Sequence, residues 1–90
     1  MRARTCGAVL VGLILMGGNC SRARVESMTE MNAGVELAQM KRFSEAAKSL
    51  EKAGAIDPTN HQAYFNLAIV QIELRSFSAA REALERAIVA

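Results

Sequence analysis

The sequence predicts an all-α fold on three observations. Helix formers dominate the 90 residues, turn residues are scarce with one Pro and six Gly, and the chain repeats itself at an offset of 34 residues. A sandwich or barrel of many short strands needs closely spaced turn signals, which this composition does not supply. At about 100 to 200 residues per domain, the length allows at most one small domain. The 51% apolar content excludes a disordered chain.

The formal charge of +2 is unevenly distributed. Residues 1–24 carry Arg2, Arg4, Arg22 and Arg24 with no acid, which leaves residues 25–90 with seven bases and nine acids. A nucleic-acid partner would need its basic stripe on the folded part, so no nucleic-acid role is expected.

Residues 1–19 read as a secretory signal peptide. Arg2 and Arg4 form a basic n-region, and the uncharged run Cys6 to Met16 forms the h-region. The run is broken by Gly17, Gly18 and Asn19, short of the roughly 20 apolar residues a membrane-spanning helix needs. It stops just before Cys20, where the segment resembles a bacterial lipoprotein signal. That resemblance implies acylation of Cys20, and two or more acyl chains would hold the domain stably on a membrane. Gly18 fits the lipoprotein pattern, whereas Gly17 and Asn19 depart from it. The alternative is an ordinary cut near Ser21-Arg22-Ala23, with Cys20 discarded. Residues 20–26 are then a linker. Both cysteines lie before residue 21, so no disulfide staples the domain and packing alone must hold it.

Aligning residues 27–56 with 61–90 pairs Asn32 with Asn66, Phe43 with Phe77, Ser44 with Ser78, Ala46 with Ala80, Leu50 with Leu84, Glu51 with Glu85 and Ala53 with Ala87. Conservative pairs such as Val35 with Ile69 and Lys41 with Arg75 fill the intervals. The first unit spans 27–60 and the second 61–90. Ser27, with Glu30 three residues on, predicts a capping box for a helix carrying Met31, Val35 and Ala38. Lys41 and Arg42 suit the negative end of its dipole. Ser44 is expected to cap a second helix, which must stop before Pro58 because the residue ahead of proline avoids the α region. Asp57-Pro58-Thr59-Asn60 is a turn, Asn60 caps a third helix to Leu74, and Ser78 caps a fourth. Small residues at Gly34, Ala46, Ala53, Ala68, Ala80 and Ala87 allow close helix approach beside Leu50, Leu84, Phe43 and Phe77. The result is an antiparallel αα-hairpin made twice, the start of an α-solenoid.

The second unit, with Tyr64, Asn66, Leu67, Ala68, Phe77, Ala80, Leu84 and Ala87, resembles the tetratricopeptide repeat family. The first unit matches at Gly34, Phe43, Ala46, Leu50, Ala53 and the closing Asp57-Pro58-x-Asn60. It departs at Glu30, where an aromatic is usual, and at Ala33, where Leu is usual. Those departures suggest a weakly packed first helix.

Nothing in the folded part is arranged for catalysis. His61 is the one histidine and follows a helix cap, and there is no phosphate loop and no metal-spaced cluster. Arg81 with Glu85 and Glu82 with Arg86 read as solvated intrahelical pairs. No catalytic residue, metal or cofactor is expected, and function falls to a surface. The family resemblance implies a concave groove lined by the first helix of each unit. It assigns partner contact to Met28, Met31, Val35, Ala38 and Gln39 in the first unit and to Gln62, Phe65, Ile69, Ile72 and Glu73 in the second. Members that clamp a C-terminal carboxylate use Lys and Asn on this face. Here Met31 and Val35 stand instead, and Asn66 is alone. The groove therefore suits an apolar or amphipathic segment of a protein partner. The other reading is burial of this face by further repeats or by a second copy, that is, self-association.

The expected function is a non-catalytic scaffold for protein–protein interaction at the bacterial cell envelope, exported to the periplasm or outer membrane and lipid-anchored there. Leader plus repeats resembles in plan the pilotin-type lipoproteins that assist secretin and pilus assembly. The alternative is the N-terminal piece of a larger repeat protein or enzyme accessory whose active part lies beyond residue 90, since the second unit stops before its own closing Asp-Pro.

Overall fold

Two helix ends, 34 residues apart, share one geometry that fixes the architecture. Lys41 and Arg75 adopt left-handed backbone conformations, with φ of 67° and 63°. At the first, the Lys41 N–H donates to the Ala38 carbonyl (2.9 Å) and the Arg42 N–H to the Leu37 carbonyl (2.9 Å). At the second, Arg75 N–H donates to Ile72 (3.0 Å) and Ser76 N–H to Gln71 (2.8 Å). Each is a Schellman closure that satisfies terminal carbonyls and reverses the chain within a few residues. The positive charges at 41 and 42 were expected to act on the helix dipole, whereas Lys41 is used here for its backbone.

The computed structural model describes the backbone of residues 13–89 and the side chains of residues 21–89. Four helices follow in order: α1 (Leu13–Gln39), α2 (Phe43–Ile56), α3 (His61–Glu73) and α4 (Phe77–Val89). No strand occurs among the described residues. α1 packs on α2, α2 on α3 and α3 on α4, with α3 also reaching α1. This is the predicted pair of αα-hairpins in tandem. Most of the expected leader, residues 1–12, lies outside the described residues, as does the side chain of Cys20.

Three predicted boundaries are corrected. Residues 20–26, expected as a linker, lie within α1. The stretch Ser21 to Glu26 contains neither Gly nor Pro, so nothing there interrupts the helix. Ser27 is consequently interior to α1 and buried, and it caps nothing. Its Oγ donates to the Ala53 carbonyl of α2 (2.7 Å) and accepts from Asn60 Nδ2 (2.8 Å). Glu30 pairs with Lys52 Nζ across to α2 (3.3 Å) instead of completing a capping box. Ser44 and Ser78 sit one residue inside α2 and α4, which begin at Phe43 and Phe77 respectively. The α2 cap position is Arg42, which makes no side-chain cap bond.

The Asp57 to Asn60 turn forms as expected. Asp57 Oδ1 accepts from Thr59 N (3.0 Å) and Oγ1 (2.6 Å), and Asn60 Oδ1 accepts from the Ala63 N–H (3.1 Å) as the α3 cap. Asn60 thus caps α3 with its oxygen while its amide nitrogen holds α1 through Ser27.

The core is built around α2. Ala46, Leu50 and Ala53 are fully buried, with Met31 from α1, Ala63, Leu67, Ala68 and Val70 from α3, and Ala80 and Ala83 from α4. Burying a side chain such as Leu50 contributes about 1.5 to 3 kcal/mol. The small residues set the spacing. A Cβ placed on Gly34 would lie 2.7 Å from Leu50 Cγ and 3.2 Å from the Ala46 carbonyl oxygen, so α1 sits against α2 as closely as a missing side chain permits. The loosely packed first helix expected from Glu30 and Ala33 is not what these contacts show.

Candidate protein-interaction groove

The first helix of each hairpin, α1 and α3, lies on one side of the molecule, and a recess of about 310 Å³ opens between them. Leu50 and Val70 form its floor, Val35, Ala38, Phe43 and Ile69 its walls, and Gln39, Lys41, Asn66 and Glu73 its rim. The helical repeat brings these positions together. Val35 and Ile69 are repeat counterparts, each four residues before the end of its helix, and both line the same hollow. The rim carries one positive and one negative side chain, and no single sign of charge dominates.

Residues 62, 65, 69 and 72 recur at three- and four-residue spacing and form one stripe along α3. Phe65, Ile69 and Ile72 on it are 49%, 46% and 46% exposed. Ile69 reaches the recess, while Phe65, Ile72 and exposed Gln62 extend the same face along the helix. On α1, Met28 is exposed and Val35 half-buried at the recess wall.

Met31 is the exception among the expected contacts. It is only 6% exposed and belongs to the core. Its repeat counterpart Phe65 is open because α3 reaches back to α1, while among the described residues no later helix reaches α3 in the same way. Met31 is therefore a packing residue.

Phe43, Leu50 and Val70 complete the recess and were not expected there. Phe43 and Leu50 read in sequence as fillers between helices, and they are also the inner surface of the groove. Val70 was not singled out in the sequence; it is 3% exposed and lines the recess floor. Asn66 is half-buried at the rim, where Lys41 is the one cation and Glu73 offsets it.

A larger hollow of about 730 Å³ opens elsewhere, between the end of α2, the start of α3 and the last turns of α4. Gly54, Ala55, Pro58 and Tyr64 line one side and Glu82, Glu85, Arg86 and Val89 the other. The Arg86 guanidinium lies 5.8 Å from the Tyr64 ring centroid, a cation–π distance. Its lining mixes charges of both signs and includes none of the α3 stripe, so size alone does not make it the better interaction site. Among the described residues, ion pairs form between Arg42 and Glu45 and between Lys52 and Glu30. The expected 81–85 and 82–86 intrahelical pairs do not close. No three His, Cys, Asp or Glu side chains converge on a metal-sized site among the described residues, and no described helix is long and apolar enough to cross a membrane.

A sequence profile described as "Tetratricopeptide repeat" matches residues 37–89, more than half of the chain. No curated protein and no solved structure gives a significant match.

Proposed function

The chain belongs to the tetratricopeptide repeat family, whose repeats are protein-interaction modules, and on that premise we propose that it holds an apolar or amphipathic segment of a partner protein in the α1–α3 groove. The observation that carries this reading is the row Phe65, Ile69 and Ile72, large apolar side chains left nearly half exposed beside an apolar-walled recess. Exposed apolar side chains aligned at helical spacing match the way an amphipathic helix is received, through anchors one turn apart. Met28, Val35 and Gln62 widen the contact.

The proposed setting is the bacterial envelope, reached through the leader over residues 1–19 and retained by acylation at Cys20. The basic n-region, the apolar run and the position of Cys20 support it. α1 then gives the domain a short attachment, because the helix passes through residues 20–26 to the buried Ser27 without an interruption. The role in that setting is a non-catalytic scaffold that assists assembly of a secretin or pilus complex.

The groove is tested by replacing Phe65 with a photo-cross-linking residue in the full chain in cells and mapping the attached peptide. An apolar or amphipathic segment of another protein is expected, with capture reduced about tenfold or more by Ile69→Asp. Attachment that Ile69→Asp leaves unchanged would count against the groove. The setting is tested separately by mass spectrometry of the mature N-terminus, where an acylated Cys20 is expected and a terminus at Arg24 would overturn lipidation.

A further inference from the structure

The second helix of each hairpin offers a face to whatever follows it. On α2 that face meets α3: Gly54 receives the Tyr64 ring, and Leu50 and Phe43 line the recess between α1 and α3, with Leu50 fully buried. The repeat counterparts on α4 are Leu84, Phe77 and Ile88. Leu84 is half-buried, whereas Phe77 is 59% and Ile88 80% exposed. Arg81 lies between them on the same stripe, with Glu85 one turn further at its edge, and both are exposed. Neither makes an ion pair among the described residues.

We propose that a second copy of this chain covers this face, α4 against α4 in antiparallel sense, about a two-fold axis at the level of Ala83. The pattern of the stripe is self-complementary in that arrangement. Antiparallel pairing centred on 83 sets Phe77 of each copy against Val89 and Ile88 of the other, and Arg81 of each against Glu85 of the other. Both charged residues lie on the same flank of the stripe, and antiparallel helices bring like flanks together. Two apolar clusters then bracket two exchanged ion pairs. An isologous contact requires this reciprocity, with each residue's partner contacting it in return. The contact uses α4 and leaves the α1–α3 groove open, so it can fail or hold independently of the groove.

The test uses the full chain in cells. A photo-cross-linking residue in place of Phe77 is expected to yield a homodimer with the attachment mapped to residues 85–89 of the second copy. R81E and E85R, each alone, set like charges together across the axis and are expected to reduce the dimer roughly tenfold or more. Co-expressing the R81E chain with the E85R chain restores opposite charges at both crossings and is expected to recover a mixed dimer. Arg81 and Glu85 are exposed, and an unchanged helical circular dichroism spectrum for each variant separates loss of contact from loss of fold. Absence of the homodimer cross-link, attachment to a different protein or to a later segment of the same chain, or failure of the mixed pair to recover would overturn the proposal.

Discussion

The Tyr64 hydroxyl donates to the Gly54 carbonyl oxygen at 3.1 Å, and the ring of the same tyrosine fills the space where a side chain at Gly54 would begin. A Cβ at Gly54 would lie 2.8 Å from two ring carbons. The pair joins the two hairpins, since Gly54 lies in the last turn of α2 and Tyr64 in the first turn of α3. It also places the ring beneath Arg86 of α4. One contact therefore sets the approach of three helices.

Gly54→Ala should destabilise the fold. Alanine gains about 1 kcal/mol of helix propensity over glycine. Against this, the ring is fixed by its hydroxyl bond and cannot withdraw without losing it, so overpacking of about 1 to 3 kcal/mol should prevail. A lowered denaturation midpoint is expected in urea. Tyr64→Phe in the same experiment isolates the hydrogen bond, and an Ala variant at least as stable as the native chain would refute the close approach.

Ser27→Ala removes a buried polar tie between α1 and the rest of the molecule. Asn60 Nδ2 loses its acceptor in a half-buried setting and the Ala53 carbonyl keeps only the Asp57 N–H (3.1 Å), which should cost about 1 to 2 kcal/mol. Thr29 is the matched control, because its exposed hydroxyl bonds only to Val25 of its own helix (3.0 Å). Thr29→Ala should change stability little. Equal effects of the two substitutions on thermal unfolding would show that the Ser27 network contributes nothing particular.

The hairpins, the turn at Asp57 and the Asn60 cap were legible because each rests on local chemistry: a repeat offset, a proline, an Asx oxygen. Helix starts at Ser44 and Ser78 were misplaced because a hydroxyl that can cap need not, and Phe43 and Phe77 enter their helices one residue earlier. The reversals at Lys41 and Arg75 carried no signal, since neither residue type favours a left-handed backbone. Ser27 was misread for a tertiary reason. Its partner Ala53 stands 26 residues away, and only the folded structure brings the two together. The groove was half legible. Helical spacing placed Val35, Ile69 and Ile72 on one face, but the burial of Met31 depends on α3 reaching α1, which no spacing within α1 reveals.

Arg75→Gly should stabilise the protein. A non-glycine residue at φ 63° is in a conformation that costs an L-residue about 1 to 2 kcal/mol, while glycine adopts it freely. The looser unfolded chain returns about 0.4 to 1 kcal/mol of that gain. A net rise of roughly 0.5 to 1 kcal/mol is expected, read as a higher melting temperature. Lys41→Gly should act alike and additively, because the two turns are separate structural units. A fall in melting temperature for both variants would mean that the side chains at these turns hold the reversal more strongly than the backbone geometry strains it.

Gln71 is the one position in the second hairpin whose side chain works against the core. It is 7% exposed, and its Oε1 is buried with no hydrogen-bond partner among the described residues. Its repeat counterpart is Leu37, which packs against the same apolar cluster from α1. The site therefore accepts an aliphatic side chain of similar length. Leaving a buried acceptor unpaired costs about 1 to 3 kcal/mol, and replacing it by an apolar group of similar shape removes that cost. Gln71→Leu should raise the denaturation midpoint by an amount corresponding to about 1 kcal/mol, with an unchanged slope on denaturant, while Gln71→Ala should lower it by opening a cavity. The backbone carbonyl of residue 71, which closes the α3 terminus through Ser76, is retained in both variants, so the comparison reports on the side chain alone. A Leu variant less stable than the native chain would show that the Gln71 amide has a partner in solution, and the hollow lined by Glu51, Glu82 and Arg86 beside it is where that partner would be sought.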